Sequence, residues 1–172
     1  MKIIEALKTI RANQAKVHDL VVKVQKNSAI RSDQTSPYGD QRASTATVNG
    51  WLDTIRQTLR ENEVLTRRIH TTNNSVEITI VIGGIGITKT IDEWLTRRKS
   101  GVDFQTLAYQ SLTDRSLKEE FVSQPDGTRV PLTIVRHYNP VQRDEMLEIL
   151  AQEKSLIDSR LEIVNATTDL MD

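Results

Sequence analysis

The sequence predicts a mainly α fold, an antiparallel bundle of long helices with a two-stranded antiparallel β ribbon. Three observations lead to it. Apolar residues recur at alternating steps of four and three along most of the chain, the spacing of a helix seam. Two short runs rich in β-branched residues have the character of strands. Only 4% of residues are aromatic, so Ile, Leu and Val at helical spacing must supply the core in place of large rings.

The first helix is expected from Lys2 to about Lys26, with a seam of Ile3, Leu7, Ile10, Gln14, Val17, Val21 and Val24. Apolar content then collapses and Pro37 and Gly39 appear, which predicts a loop over 28–45. A second helix follows from Thr45 to Thr71, with Val48, Leu52, Ile55, Leu59, Asn62, Thr66 and Ile69 in its seam; the Asn residues of "TTNNS" end it. In the run 76–82, Val76, Ile78, Ile80 and Ile82 alternate with Glu77, Thr79 and Val81, which predicts a strand. Its expected partner is 129–138, entered through a turn at Pro125-Asp126-Gly127. Pro131 cannot donate to a ladder, so this second strand belongs to an edge or a two-stranded arm.

A third helix is expected from Ile91 to about Glu120, with Ile91, Leu95, Arg98, Val102, Gln105, Tyr109 and Leu112 in line; Gly101 invites a kink and Asp103 a break. The last helix has Asn139 as N-cap and Pro140 at its first position, with Leu147, Leu150, Lys154, Ile157, Leu161 and Val164 as its seam. Together these elements predict one helical-bundle domain spanning 1–172.

The stretch "VIGGIGITKT" (Val81 to Thr90) invites comparison with a phosphate-binding P-loop. Counting back from Lys89, Gly83 fits the first glycine, but Thr88 stands where the second belongs. That glycine lets backbone amides wrap a phosphate, so its absence removes the chemistry. Thr90-Ile91-Asp92-Glu93 instead spells a capping box and starts a helix.

Composition narrows the function. Lys+Arg and Asp+Glu balance at 23 each, which argues against a general nucleic-acid binder. There is no cysteine, hence no disulfide framework, thiolate zinc site or thiol nucleophile. No apolar run reaches the roughly 18 residues of a membrane span, and "MKIIEALKTIRANQ" lacks a signal peptide's apolar segment. A cytoplasmic protein without a membrane or nucleic-acid partner is the expectation. His18, His70 and His137 have no metal-ligand spacing, and no GxSxG elbow is present, so neither a metal, a cofactor nor a catalytic residue is predicted.

The anomaly lies within the seams. Gln14, Asn62, Thr66, Arg98, Gln105 and Lys154 occupy positions where a heptad calls for apolar side chains. A buried cation must meet a carboxylate, reach solvent or hold an anion. One reading is that these residues set register and oligomer state. The sharper one is that Arg11, Gln14, Arg67, Arg68, Asn73, Arg97, Arg98, Lys154, Asn165 and Thr168 converge as a positively lined site for a phosphate-bearing small molecule, between subunits of a homo-oligomer. "LTRRI" at Leu65 and "LTRRK" at Leu95 place two basic steps in matching helix contexts; brought face to face they would point to an anion between them. The alternative is two exposed helix-end basic clusters that complement the dipole, which only the first fits well.

The ordered motifs "EALKTIRANQAKV", "RRIHTTN", "GITKTIDEWLTRRK" and "SRLEIVNATTDL" resemble a family of uncharacterised bacterial and phage proteins, some labelled septicolysin-like. The resemblance spans nearly the whole chain; "IVIGGIGI" and the Ile30–Thr45 loop depart from the family pattern. It implies a helical bundle with a hairpin-like β arm and no established activity. The expectation is therefore a non-enzymatic protein that sequesters an anionic nucleotide-type signal, in a host cytoplasm if phage-encoded. The alternatives are a structural coiled-coil oligomer without a ligand, or a nucleotide hydrolase, which needs an acid/base pair or metal cluster that the sequence does not display.

Overall fold

Helix α1 (Ile3–Asn27) opens with the Lys2 amide donating to the Glu5 carboxylate at 2.8 Å. Helix α2 (Gln41–Ser75) begins four residues before the expected start, because Asp40 caps it by accepting from the Ala43 amide at 2.8 Å. The structure, a computed structural model, describes residues 1–117, 120–125 and 127–172. It divides into two compact units: Met1–Val76 with Glu162–Asp172, and Glu77–Leu161. The sequence had suggested a single bundle domain.

In the first unit α1 and α2 form an antiparallel hairpin. Asn13 Nδ2 donates to Asn62 Oδ1 at 2.8 Å midway along it, and Asn27 and Val48 line one cleft at the loop end. The stripe turned inward on α1 is Ile3, Ala6, Ile10, Asn13, Val17, Leu20, Val24 and Asn27; on α2 it is Val48, Trp51, Ile55, Thr58, Asn62, Leu65, Ile69 and Thr72. These stripes share alternate members with the expected seams and differ in the rest. Ala6, Asn13 and Leu20 replace Leu7, Gln14 and Val21; Trp51, Thr58 and Leu65 replace Leu52, Leu59 and Thr66. The side chains left out are exposed.

Both ends of the chain are laced into this unit. The Ile3 amide donates to the Thr168 carbonyl (3.1 Å) and the Leu170 amide to the Met1 carbonyl (2.9 Å). The Lys2 ammonium reaches the Asp169 carboxylate at 2.6 Å and holds that carboxyl below the ordinary Asp range. Thr72, fully buried, donates its hydroxyl to the Arg68 carbonyl and accepts from the Met171 amide.

The second unit opens with a β hairpin whose second strand differs from the expected one. Strand β1 (Glu77–Ile82) pairs with β2 (Ile85–Thr90), not with 129–138. The connection is Gly83-Gly84, both at positive φ (56° and 80°), the two-residue turn whose twist suits a tight hairpin. Ile78, Ile80 and Ile82 are buried and Glu77, Thr79 and Val81 exposed, as the alternation predicts. The arm containing Pro131 is two-stranded, as expected, but joins β3 (Phe121–Ser123) to β4 (Arg129–Pro131). Of the turn predicted between them, Asp126 lies outside the described residues, as do Lys118 and Glu119 of the expected third helix.

That third helix runs from α3 (Ile91–Thr96) through a π-helical turn (Arg97–Gly101) into α4 (Val102–Gln110), ending well before Glu120. Helix α5 (Pro140–Thr167) starts as predicted: Asn139 Oδ1 accepts from the Val141 amide at 2.9 Å. Its first part, to Leu161, belongs to the second unit and the remainder to the first. The chain is mainly α with small antiparallel ribbons, and among the described residues no helix is long and apolar enough to cross a membrane.

The capping box at Thr90 is formed: the Glu93 amide donates to the Thr90 hydroxyl at 3.2 Å, and the Thr90 amide to the Glu93 carboxylate at 2.8 Å. Those bonds from Thr90, backbone first, lower the Glu93 pKa from its ordinary 4.5. A depressed carboxyl stabilises the fold above its unfolded pKa and ceases to do so as pH falls through the folded value. Thr90→Ala should cost about 1 kcal/mol in urea denaturation at neutral pH. Glu93→Ala should be less stable than the parent at neutral pH, with the gap closing in acid; a gap independent of pH would show that the ionised box contributes nothing.

Candidate functional site

Assigning heptad positions from the buried stripes clarifies where the polar seam residues went. With Ile3, Ile10 and Val17 at a and Ala6, Asn13 and Leu20 at d, the residues Leu7, Gln14 and Val21 fall at e. On α2, Val48, Ile55 and Asn62 at a place Leu52, Leu59 and Thr66 at e. In an antiparallel pair the two e rows flank the same side of the seam. That side is open: Val21 is 48% exposed and Leu59 45%. The opposite flank, Thr9, Lys16 and Lys23 with Thr47, Thr54 and Glu61, is polar throughout. The hairpin therefore has one wet side and one apolar side that nothing in its own unit covers.

The apolar side holds a groove of about 620 Å³ lined by Ile10, Gln14, Leu59, Asn62, Thr66 and Arg67, with Glu63 and His70 beside them. Here the predicted Gln14 and Arg67 do meet, in company with the seam polar residues Asn62 and Thr66. Arg67 makes no ion pair among the described residues. Arg11 is exposed and does not line this groove.

Other predicted members of the first unit are structural. Arg68 donates from Nε to the Met171 carbonyl at 3.0 Å and pairs with Asp172 at 2.7 Å. Asn73 is 7% exposed, and its Oδ1 is a buried acceptor with no partner among the described residues. Asn165 and Thr168 are half-buried near the chain end, where the Thr168 carbonyl accepts from Ile3. The loop between α1 and α2 roofs a larger cleft, about 710 Å³. Arg31 is its charged side chain and is already paired with Asp33, so the cleft presents no free charge.

The remaining predicted residues lie in the second unit. Arg98 and Lys154 were expected in the seams; both are exposed and ion-paired, Arg98 with Asp158 and Lys154 with Asp103 at 3.1 Å. The inward positions belong to their neighbours. Glu153, 4% exposed, faces inward in place of Lys154, and Arg97 in place of Arg98. Arg97 grips Glu153 with two bonds of 2.7 Å, from Nε to Oε1 and from Nη2 to Oε2, and gives a further Nη2 proton to Gln105 Oε1 at 2.7 Å. The bond to Glu153 raises the Arg97 pKa against the opposing effect of burial.

The π-helical turn explains why Arg97, and not Arg98, meets Gln105. Eight residues of regular α-helix rotate a side chain about 80° away from its starting face. One residue absorbed by the π turn makes the step equivalent to seven, which returns within about 20° of that face. Arg97 and Gln105 thereby share a side. Gly101 contributes too, since a Cβ there would come within 3.0 Å of Arg97 Cδ.

Among the described residues no group of three His, Asp or Glu is placed to hold a metal ion. No known family model matches the chain, and no curated protein matches it. A solved structure, that of a functionally unknown conserved protein from Corynebacterium diphtheriae, is similar at a TM-score of 0.57 and 18% identity over 99% of both chains. At that identity the likeness establishes the fold and carries no activity.

The Asn13–Asn62 pair gives a direct test of the seam assignment. Asn13→Ala strands the buried Asn62 amide and should cost about 1–3 kcal/mol in chemical denaturation. The double change Asn13→Leu, Asn62→Leu should recover most of that loss. A double variant as unstable as the single would place the pair outside the packed seam.

Proposed function

We propose that the protein is a non-enzymatic binding protein acting as a homo-oligomer. The open side of the α1–α2 hairpin is completed by a second copy, and the polar layer within it takes an anionic small molecule of the nucleotide type. The carrying observation is the apolar stripe three positions wide, interrupted by Gln14 and Thr66 beside Arg67, which has no ion pair among the described residues. A two-helix seam uses two apolar positions per heptad, whereas helices inside a bundle use three. A second hairpin related by a two-fold axis buries Leu7, Val21, Leu52 and Leu59 of both copies in a four-helix core. It also brings Arg67 and Glu63 of both copies to one interface, where the two guanidinium groups are the donors offered to an anion. Sequestration of a nucleotide signal is the activity that such a site supports without catalytic groups. The resemblance to phage proteins is consistent with a role in a host cytoplasm.

The second reading is a structural oligomer with no ligand, and the Asn13–Asn62 bond favours it, because a single buried polar pair suffices to set register. Two substitutions separate the readings. Leu59→Glu should convert the oligomer to monomer in analytical ultracentrifugation; an unchanged mass, or a monomeric parent, refutes assembly through this face. Arg67→Ala should preserve the oligomer while weakening nucleotide binding about tenfold or more in isothermal titration, the loss of one charged contact. If no cyclic or linear nucleotide releases heat with an intact oligomer, the ligand-free reading stands.

A further inference from the structure

The second unit contains a different, half-open space whose chemistry the assembly reading does not use. A cavity of about 260 Å³ lies under the β1–β2 hairpin, walled by Ile82, Ile87, Trp94, Met146, Ile149 and Leu150. Its polar lining is confined to Lys89, Arg97, Gln105 and Glu153. Trp94, 1% exposed, is locked in place by its indole N–H, which donates to the Ile78 carbonyl at 3.1 Å.

The charges do not cancel. Glu153 neutralises Arg97 through the two-bond contact, and Gln105 takes another of that guanidinium's protons. Arg97 Nη1 donates to no acceptor among the described residues. Lys89 stands 5.7 Å over the Trp94 ring without an ion-pair partner among the described residues. Counting the lining residues alone, the cavity has one positive charge in excess, while Glu93 acts on Lys89 from outside the lining. Apolar walls with a few convergent polar groups are the usual build of a small-molecule pocket. At roughly 30 Å³ per non-hydrogen atom the volume holds about nine such atoms.

We propose that this cavity binds a small apolar monocarboxylate, its carboxylate received by Lys89 and the free edge of Arg97 and its hydrocarbon body against Trp94, Met146 and Ile149. The features placing Arg97 support a built site: a π-helical turn, a type of irregularity that recurs at functional positions, and Gly101 leaving room for the Arg97 stem. Glu153 takes the Nε and Nη2 side of the guanidinium, and Nη1, which lies beside Gly101, has no acceptor among the described residues.

Hexanoate is the probe, with 1-hexanol as its uncharged match. In Trp51→Phe protein, Trp94 is the sole tryptophan and reports occupancy by fluorescence. Hexanoate should give a saturable change with Kd of about 1 mM or tighter, a realistic value for so few atoms, and hexanol should bind at least about tenfold more weakly. Lys89→Gln should reduce hexanoate affinity toward that of hexanol, and Lys89→Arg should restore it. Gly101→Ala, whose backbone (φ −64°) suits a helix, should weaken hexanoate without unfolding the protein, by pushing Arg97 aside. No saturable response to hexanoate up to about 10 mM, or equal binding of acid and alcohol, overturns the proposal. Undiminished binding by a folded Lys89→Gln variant overturns it equally, and the acid–alcohol contrast decides the matter should that variant fail to fold.

Discussion

Two helices packed as a pair meet along one line, and in α1 and α2 more apolar side chains are present than that line can hide. The a and d rows fill it: Ile3, Ala6, Ile10 and Leu20 against Ile55, Thr58, Leu65 and Ile69. The e rows then have nowhere to go within the hairpin, and because both lie on one side they add up to a single face. The other flank, with lysines, threonines and a glutamate, is free to stay in water. This asymmetry is what gives the first unit a direction in which to interact. It arises from the width of the stripe and not from any special residue.

The second unit is organised by a different constraint, the need to give the buried Glu153 carboxylate a close cationic partner, the partly exposed Arg97. Removing charges from water costs several kcal/mol per ion, and only close hydrogen-bonded geometry offsets it. Arg97, Glu153 and Gln105 meet that requirement with bonds of 2.7 Å. The helix supplying two of the three is regular before and after Arg97–Gly101 and widened within it. A straight α-helix would point Gln105 to another face. The irregularity is therefore tied to the polar cluster and, through Lys89 and Trp94, to the cavity beside it.

Both units retain polar groups where apolar ones would pack, Asn13 with Asn62 in one and Arg97 with Glu153 in the other. Such pairs seldom add stability compared with well-packed hydrocarbon, but each excludes alternative registers in which one member would be buried alone. The similarity to the Corynebacterium diphtheriae protein extends along nearly the entire chain, so the order of elements tolerates wide sequence change. A shared fold leaves function to the side chains presented on it.

The sequence by itself determined whatever depends on near neighbours. The helix starts at Thr90 and Asn139 were legible because a cap and its amides lie within three residues of each other. The alternation in Glu77–Ile82 was legible for the same reason, since a strand buried on one face must alternate. The Gly83-Gly84 turn was also written locally, as two glycines between β-branched runs. The tertiary structure alone decided the rest. An apolar stripe three residues wide fits two seams that differ by one position, and only the partner helix selects between them. Gln14 was thereby assigned the place of Asn13, and Lys154 that of Glu153. Arg97, and not Arg98, meets Gln105 because the π turn altered the phase of the helix, and no local motif announces a π turn. Phase is a property of contact between elements, so the residues that face inward were settled by packing and not by spacing.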